Sequence, residues 1–363
     1  MPGNGPPSES NAPSMLTSTE ASAANGSVPS PPEPSEASKA VRPVDLVADA
    51  IPESAQGQLS GEEGEDVLPV APNPVPLSEV CADVYGRVEK LLDAREVDEV
   101  TRRTQQQVRE SMDIMSKALD EYGFEHLSLS YNGGKDCLVL LLIYLAVLHT
   151  HFTRPSSRRK TEAQDFPTSI PSIYATPPDP FPAVTTFVSA SSSAYHLSLI
   201  HIRTNPPPPD PQHTHANPNS APPHPHLPGV PVRTFRDAFA LYLSHNPTIN
   251  AIFVGTRRTD PHGEHLTPFQ RTDGNWPDFM RVHPVLDWKL SEIWAFLRFP
   301  GMVGSTGYCG MYDEGYTSLG GRGDTVRNPL LKVQEGEDAL DGGGGYRPAW
   351  TMVEDREERA GRE

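Results

Sequence analysis

Eleven consecutive apolar residues, Leu138–Leu148, leave a helix over this stretch with no polar face. A surface helix needs such a face, so this one must be buried on all sides. The run falls well short of the ~20 residues that span a bilayer, which points to a protein core. The segment before it, His126–Tyr131, alternates and reads as a strand; Gly133-Gly134 follows, and the apolar helix then covers Asp136–His149. A strand, a tight glycine turn and a buried helix make the first half of a β–α–β unit.

Other segments extend the alternation. Gln105–Tyr122 places Val108, Met112, Met115 and Leu119 at helical spacing and stops at Gly123. Ser172–Ala175, Leu197–Ile202 and Ala251–Val254 read as strands. Phe181–Tyr195, Thr234–His245 and Leu290–Leu297 read as helices, the last with Ile293, Trp294 and Leu297 on one face. The expected class is α/β: a mainly parallel sheet with helices on both faces. Ligands in such sheets bind beyond the carboxyl ends of the strands. The two loops richest in functional residue types, after Tyr131 and after Val254, both follow strands.

Composition limits how much of the chain takes part. Of 363 residues 40 are proline, and only 36% are hydrophobic. Residues 1–78, rich in Pro, Ser, Ala, Gly and Glu, are expected to be a disordered tail. Insertions are expected at about 153–171 and 203–231; eleven prolines fall between positions 206 and 231. The histidine pairs His213/His215 and His224/His226 there read as part of a solvated Pro-rich loop before they read as metal ligands. The folded domain is then 79–332, and 333–363 is an acidic, Gly-rich tail. Residues 1–78 carry eleven acidic and two basic side chains and 333–363 nine and four, which leaves a net of −3 on 79–332 out of −17. A nearly neutral domain gives no reason to expect a nucleic-acid partner. Cys81, Cys137 and Cys309 are odd in number and far apart, which suits neither a disulfide framework nor a zinc cluster and fits a reducing compartment. The first residues, Met-Pro-Gly-Asn-Gly, show no secretory pattern, so a cytoplasmic location is expected, with no membrane partner and an oligomeric state compatible with a monomer.

Ser130-Tyr131-Asn132-Gly133-Gly134-Lys135-Asp136 has the makings of a phosphate-binding loop. Glycines let backbone N–H groups approach phosphate oxygens, and the following helix adds its positive end. Lys135 is placed to neutralise phosphate charge and Asp136 to help hold Mg²⁺. The spacing excludes the Gly-x4-Gly-Lys-Ser/Thr loop. It matches the shorter Ser-x-Gly-Gly-x-Asp loop of the PP-loop superfamily with one extra residue after Ser130. A plain strand-to-helix turn is the alternative. Cys137 reads as a small buried residue.

The second constellation is Gly255-Thr256-Arg257-Arg258-Thr259-Asp260-Pro261. Two arginines at a strand's end suit a polyphosphate and its pyrophosphate leaving group, although an Arg-Arg pair alone is more often a solvated surface. Downstream, Asp273, Trp276 and Phe279 offer an acceptor and flat apolar surface, a combination that suits a planar heterocycle with an N–H or, alternatively, a core tryptophan.

Taken in order, SYNGGKDC, GTRRTDP, LTPFQRTDGNWPDFMRVHPVLDW, YCGMYDEGYTSLG and TVRNP resemble the eukaryotic FAD synthase (FMN adenylyltransferase) family of the PP-loop superfamily. The resemblance runs from about Glu79 to Leu331, and Tyr346–Trp350 and Glu358–Arg362 are similar to that family's C-terminus. It implies an adenine nucleotide α-hydrolase-like fold with a small C-terminal lobe, ATP and FMN as substrates, and Mg²⁺. It implies ATP contacts from Ser130, Asn132, Gly133, Gly134, Lys135 and Asp136, with Asn132, Lys135, Asp136, Arg257, Arg258 and Arg327 catalytic. It places Asp260, Asp273, Trp276 and Arg281 on the FMN side, with Arg322 a weaker candidate near the phosphates. The sequence departs from the family at Phe181-Pro182-Ala183, where an acidic residue is usual, and at Asp324-Thr325, where Asn-Thr is usual. It also departs in the link Phe299–Gly307, which could displace the segment carrying Arg327. A phosphoadenylyl-sulfate reductase and a catalytically degenerate binder stay open as alternatives.

Overall fold

In the computed structural model, residues 73–153, 165–205, 232–334 and 344–362 are described. Of the expected 1–78 tail, residues 1–72 lie outside them, as do most of the expected insertions at 153–171 and 203–231; the end of that tail is instead ordered, with Asn73 Nδ2 donating to Ala194 O and Leu77 buried at the start of the first helix. In chain order the helices are α1 (Leu77–Asp93), α2 (Glu99–Tyr122), α3 (Lys135–Thr153), α4 (Pro182–Ala194), α5 (Phe235–His245) and α6 (Leu290–Leu297). The strands are β1 (Leu127–Ser130), β2 (Ile170–Thr176), β3 (Leu197–Arg203), β4 (Ala251–Phe253), β5 (Phe269–Arg271) and β6 (Met280–Val282). They form one sheet in the order β3-β2-β1-β4-β6-β5. Every neighbouring pair is parallel except β5 with β6.

Local chemistry sets the element ends. Asp98 caps α2 by accepting from Thr101 N at 2.7 Å, which starts that helix six residues before its apolar periodicity becomes visible. Thr234 and Asp237 form a reciprocal capping box on α5. Pro182 occupies the first turn of α4, where a missing N–H costs nothing.

The sheet is covered on both faces. On one, α1, α2, α3, α4 and α6 pack over Leu127, Leu129, Tyr174 and Phe253. On the other, α5 packs Phe235, Phe239 and Tyr242 against Ile173 and Ile252. Helix α3 is apolar and long enough to cross a membrane by length and composition, but Leu138–Leu148 are all buried within the core. Two elements were absent from the sequence reading: α1, and the β5–β6 hairpin, whose three-residue strands are too short for a period to show.

The link Phe299–Gly307 packs well. Met302 is fully buried; its N–H donates to Phe299 O at 2.9 Å, and its carbonyl accepts from Arg87 Nη1 at 3.2 Å. The described part of the expected C-terminal tail, 344–362, is likewise no tail. Ala349, Met352, Glu358 and Gly361 are buried, and short 3-10 turns cover Ala349–Thr351 and Asp355–Gly361. The domain therefore does not stop at 332. Composition concealed this, because the segment's order comes from distant partners and not from an apolar period.

If the link is part of the core, Met302→Ala should lower the unfolding free energy by about 2–5 kcal/mol. Urea denaturation measures it; a loss below about 1 kcal/mol would mean the link is not load-carrying packing.

Candidate active site

Strands β1 and β4 are hydrogen-bonded neighbours, so the loops that leave their carboxyl ends lie side by side. The contact is close: a Cβ on Gly255 would lie 2.7 Å from Cys137 Sγ and 3.1 Å from Cys137 N. The turn after β1 also demands glycine. Gly133 has φ +66°, and a Cβ there would meet Val188 Cγ2 at 2.6 Å. Asn132 shapes the turn by accepting from Gly134 N at 3.0 Å. Lys135 N donates to Tyr312 OH at 2.9 Å, which ties the start of α3 to the C-terminal lobe.

Beneath this turn lies a buried ring of four charges. Lys135 Nζ pairs with Asp136 Oδ2 at 2.9 Å, and Asp136 Oδ1 pairs with Arg257 Nε at 2.6 Å. Arg257 Nη2 pairs with Glu358 Oε2, and Glu358 Oε1 returns to Lys135 Nζ. Arg257 Nη1 adds Asp355 Oδ1 at 2.8 Å. Lys135 is 0% exposed and Arg257 1%. Burial alone would pull the Arg257 guanidinium down, but Asp136, Glu358 and Asp260 outweigh it and hold the group charged. Asp260 accepts from Arg257 N at 2.7 Å. Burial is the largest influence on its carboxyl; Asp136 and Glu358 add to it against Arg257, and together they push it up to about 7.

This geometry revises the sequence assignments. Lys135, Asp136 and Arg257 do come together, but as mutual counter-ions under the loop. Both Asp136 oxygens face cations, and among the described residues no group of three or more His, Cys, Asp or Glu forms a metal cage. Asp136 therefore does not fit a Mg²⁺ ligand here. Arg258 turns outward: its Nε and Nη2 pair with Asp287 at 2.6 and 3.2 Å, and its Nη1 donates to Glu264 O and Leu266 O. It clamps the 264–266 loop, as expected of an arginine beside an acceptor-rich turn. Ser130 is buried at the end of β1.

The β5–β6 hairpin gathers three of the four flavin-side candidates, while the fourth, Asp260, stands with Arg257. Arg281 Nη2 lies 3.7 Å from Asp273 Oδ2, and the Trp276 N–H donates to Asp273 O at 2.8 Å. Asp273 is exposed and Arg281 buried, while Trp276 meets Phe239 edge-on at 6.0 Å. Phe279 is fully core, stacked on Phe239. Arg327 and Arg322 line a cavity of about 580 Å³ with Phe181, Tyr316 and Tyr346. Arg327 sits over the Tyr316 and Tyr346 rings and pairs with Glu314 at 3.0 Å. Sequence reasoning missed Glu358, Asp355 and Tyr312. The first two stood in a run of acidic residues with no sign of a partner; only the likeness of Glu358–Arg362 to a family C-terminus pointed toward them.

All three cysteines are buried. Burial pushes the Cys81 thiol up to about 12 and the Cys309 thiol up to about 11, away from nucleophilic thiolate.

A family model described as the phosphoadenosine phosphosulfate reductase domain matches residues 126–327. A probable FAD synthase of Schizosaccharomyces pombe is 34% identical over 279 residues, 77% of this chain and 87% of the relative. The flavin adenine dinucleotide synthase of Saccharomyces cerevisiae is 34% identical over 275 residues, 65% of this chain and 81% of the relative. Among solved structures, yeast FAD synthetase in complex with FAD superposes with a TM-score of 0.63 at 29% identity, covering 80% of this chain and 100% of that one. Candida glabrata FMN adenylyltransferase in complex with FMN and the ATP analog AMPCPP gives 0.62 at 27% identity, covering 79% and 97%.

Asp260 supplies a pH test. Its folded-state pKa is raised above the ordinary carboxylate value of 3.8. Its stabilising contribution is thus present at low pH and is lost as pH rises through about 7. Asp260→Asn keeps an acceptor and removes the titration. Relative to wild type, the variant should gain unfolding free energy between about pH 5 and about pH 8 in parallel urea titrations. An equal difference at both pH values would mean that Asp260 ionises normally.

Proposed function

Because the chain belongs to the FAD synthase family, we propose that it joins FMN to the adenylyl group of ATP, releasing FAD and pyrophosphate. The observation that carries this reading is the adjacency of β1, β4 and β6. It sets the glycine turn at 132–134 beside the 255–260 loop, with the Asp273/Trp276/Arg281 hairpin one strand further on.

An FMN phosphate oxygen attacks the α phosphorus. That O–P bond forms as the bond from the α phosphorus to the pyrophosphate oxygen breaks in line. The attacking phosphate is already ionised, so no general base and no covalent enzyme intermediate is required. Catalysis is positioning and charge stabilisation. The turn at 132–134 and the positive end of α3 receive the ATP phosphates; Gly134 N and Lys135 N, which donate to Asn132 Oδ1 and Tyr312 OH, exchange those acceptors for phosphate oxygens. Lys135, Asp136 and Arg257 act from beneath by fixing the turn. Arg327 and Arg322 face an open cavity and are the better placed arginines for the departing pyrophosphate. Mg²⁺, when bound with ATP, would shield phosphate charge; Asp136, with both oxygens on cations, would not be what holds it. On the other substrate, Asp273 accepts from the flavin ring while Trp276 and Arg281 shape its pocket, and Asp260 holds the 257–260 turn.

A reductase of the phosphoadenylyl-sulfate type needs a reactive cysteine, and the three buried thiols speak against it. The degenerate-binder alternative drew on the unusual 299–307 link, which packs into the core through Met302. A cytoplasmic location without a nucleic-acid partner suits the near-neutral domain.

The test is direct. Purified full-length protein with FMN, ATP and Mg²⁺ should yield FAD and pyrophosphate in equal amounts by chromatography. Retained FMN binding with no FAD would overturn the reading. Asp273→Ala should raise KM for FMN about tenfold or more while KM for ATP shifts less than about twofold. Equal changes in both would sink the flavin-side assignment.

A further inference from the structure

Glu358 stands outside the phosphate-loop, 255–261 and 273–281 motifs, yet it closes the buried ring. Its backbone is pinned independently of its side chain. Thr317 Oγ1 donates to Glu358 O at 2.5 Å, and Asn328 Nδ2, fully buried, donates to Glu357 O at 2.8 Å. Val326 N donates to Gly361 O at 2.8 Å. From this fixed base the carboxylate, 5% exposed, reaches two cations on separate elements. One is Lys135, the first residue of α3; the other is Arg257, in the loop after β4. Asp136 bridges the same two cations from the other side. Without Glu358, the direct Lys135–Arg257 bridge it makes would be lost, and the Asp136–Arg257 pair and the packing of Gly255 on Cys137 would be left to hold the two loops in register.

We propose that Glu358 is a positioning residue: by joining Lys135 to Arg257 it fixes the phosphate-binding turn relative to the 255–260 loop, and so sets where ATP stands for its acceptor. This rests on the ATP-binding part of the proposed function. Glu358 touches no substrate; it acts through the two cations. A mere staple would hold the fold together without affecting ATP, so stability and ATP handling must be read separately.

The deciding variant is Glu358→Gln, which keeps the shape and removes the charge. Circular dichroism establishes whether it folds. Calorimetric affinity for Mg·ATP should fall about tenfold, and kcat with it, while affinity for FMN changes less than about twofold. In a cycle with Lys135→Met, the double variant should lose no more ATP affinity than the worse single one, because both open the same ring. Fully additive losses would overturn the proposal. So would a folded Glu358→Gln protein with a lower melting temperature and unchanged ATP affinity. Unpairing a buried charge can abolish folding. In that event Glu358→Asp decides: it retains the charge but is one methylene too short to reach both cations. Weakened ATP binding by the folded Asp variant supports the proposal, and wild-type affinity, or a return to wild-type kcat, overturns it. ATP calorimetry needs no turnover, so a wild-type protein that binds ATP but makes no FAD would count against the activity and leave this inference standing.

Discussion

The interaction on which the rest depends is the burial of Arg257. A guanidinium removed from water is tolerated only when its charge and its fork of N–H donors are matched. Here the match comes from Asp136 at the start of α3 and from Asp355 and Glu358 in the C-terminal turn. One side chain thus dictates that three separate parts of the chain meet at the carboxyl edge of the sheet. Net stabilisation by such a cluster is modest, since desolvation opposes the Coulomb attraction, but the arrangement is specific: each corner fails if a neighbour is missing.

Above the ring the chemistry changes character. The turn at Asn132–Gly134 is built of backbone, with Gly133 in a conformation that side-chain-bearing residues avoid. Two amides at its end are already committed, Gly134 N to Asn132 Oδ1 and Lys135 N to Tyr312 OH, so an arriving polyanion exchanges with neutral acceptors already in place. Full charges set below and amides above divide the labour between rigidity and recognition. The hairpin of β5 and β6, antiparallel at the sheet's edge, adds a third surface whose polar residues are largely exposed.

The β1–turn–α3 unit was legible in the sequence because two independent signals coincided there: an apolar run with no polar face and paired glycines after an alternating strand. The helix α6 was legible through a single signal, the apolar face of Ile293, Trp294 and Leu297. The hairpin was not, since three residues per strand give no period and its ligand-like composition drew attention instead. The residue types at 135, 136 and 257 were recognised, but their burial was not, because whether a lysine points into a cleft or under it depends on tertiary partners. Those partners sat in an acidic segment that composition assigned to solvent. Glu358 is indistinguishable by local chemistry from Glu357 beside it; only the docking of its backbone on Thr317 and Asn328 separates them.

The same docking imposes an order in time. Arg257 lies 98 and 101 residues ahead of Asp355 and Glu358 in the chain. During synthesis, which proceeds at about 5–20 residues per second, the sheet's strands all emerge before these counter-charges exist. A nascent chain must therefore carry a cation without its full set of anions for several seconds and cannot seal the carboxyl edge. The site is completed by the last stretch of the described fold, so a product shortened before Asp355 would lack two of the acidic partners of Arg257.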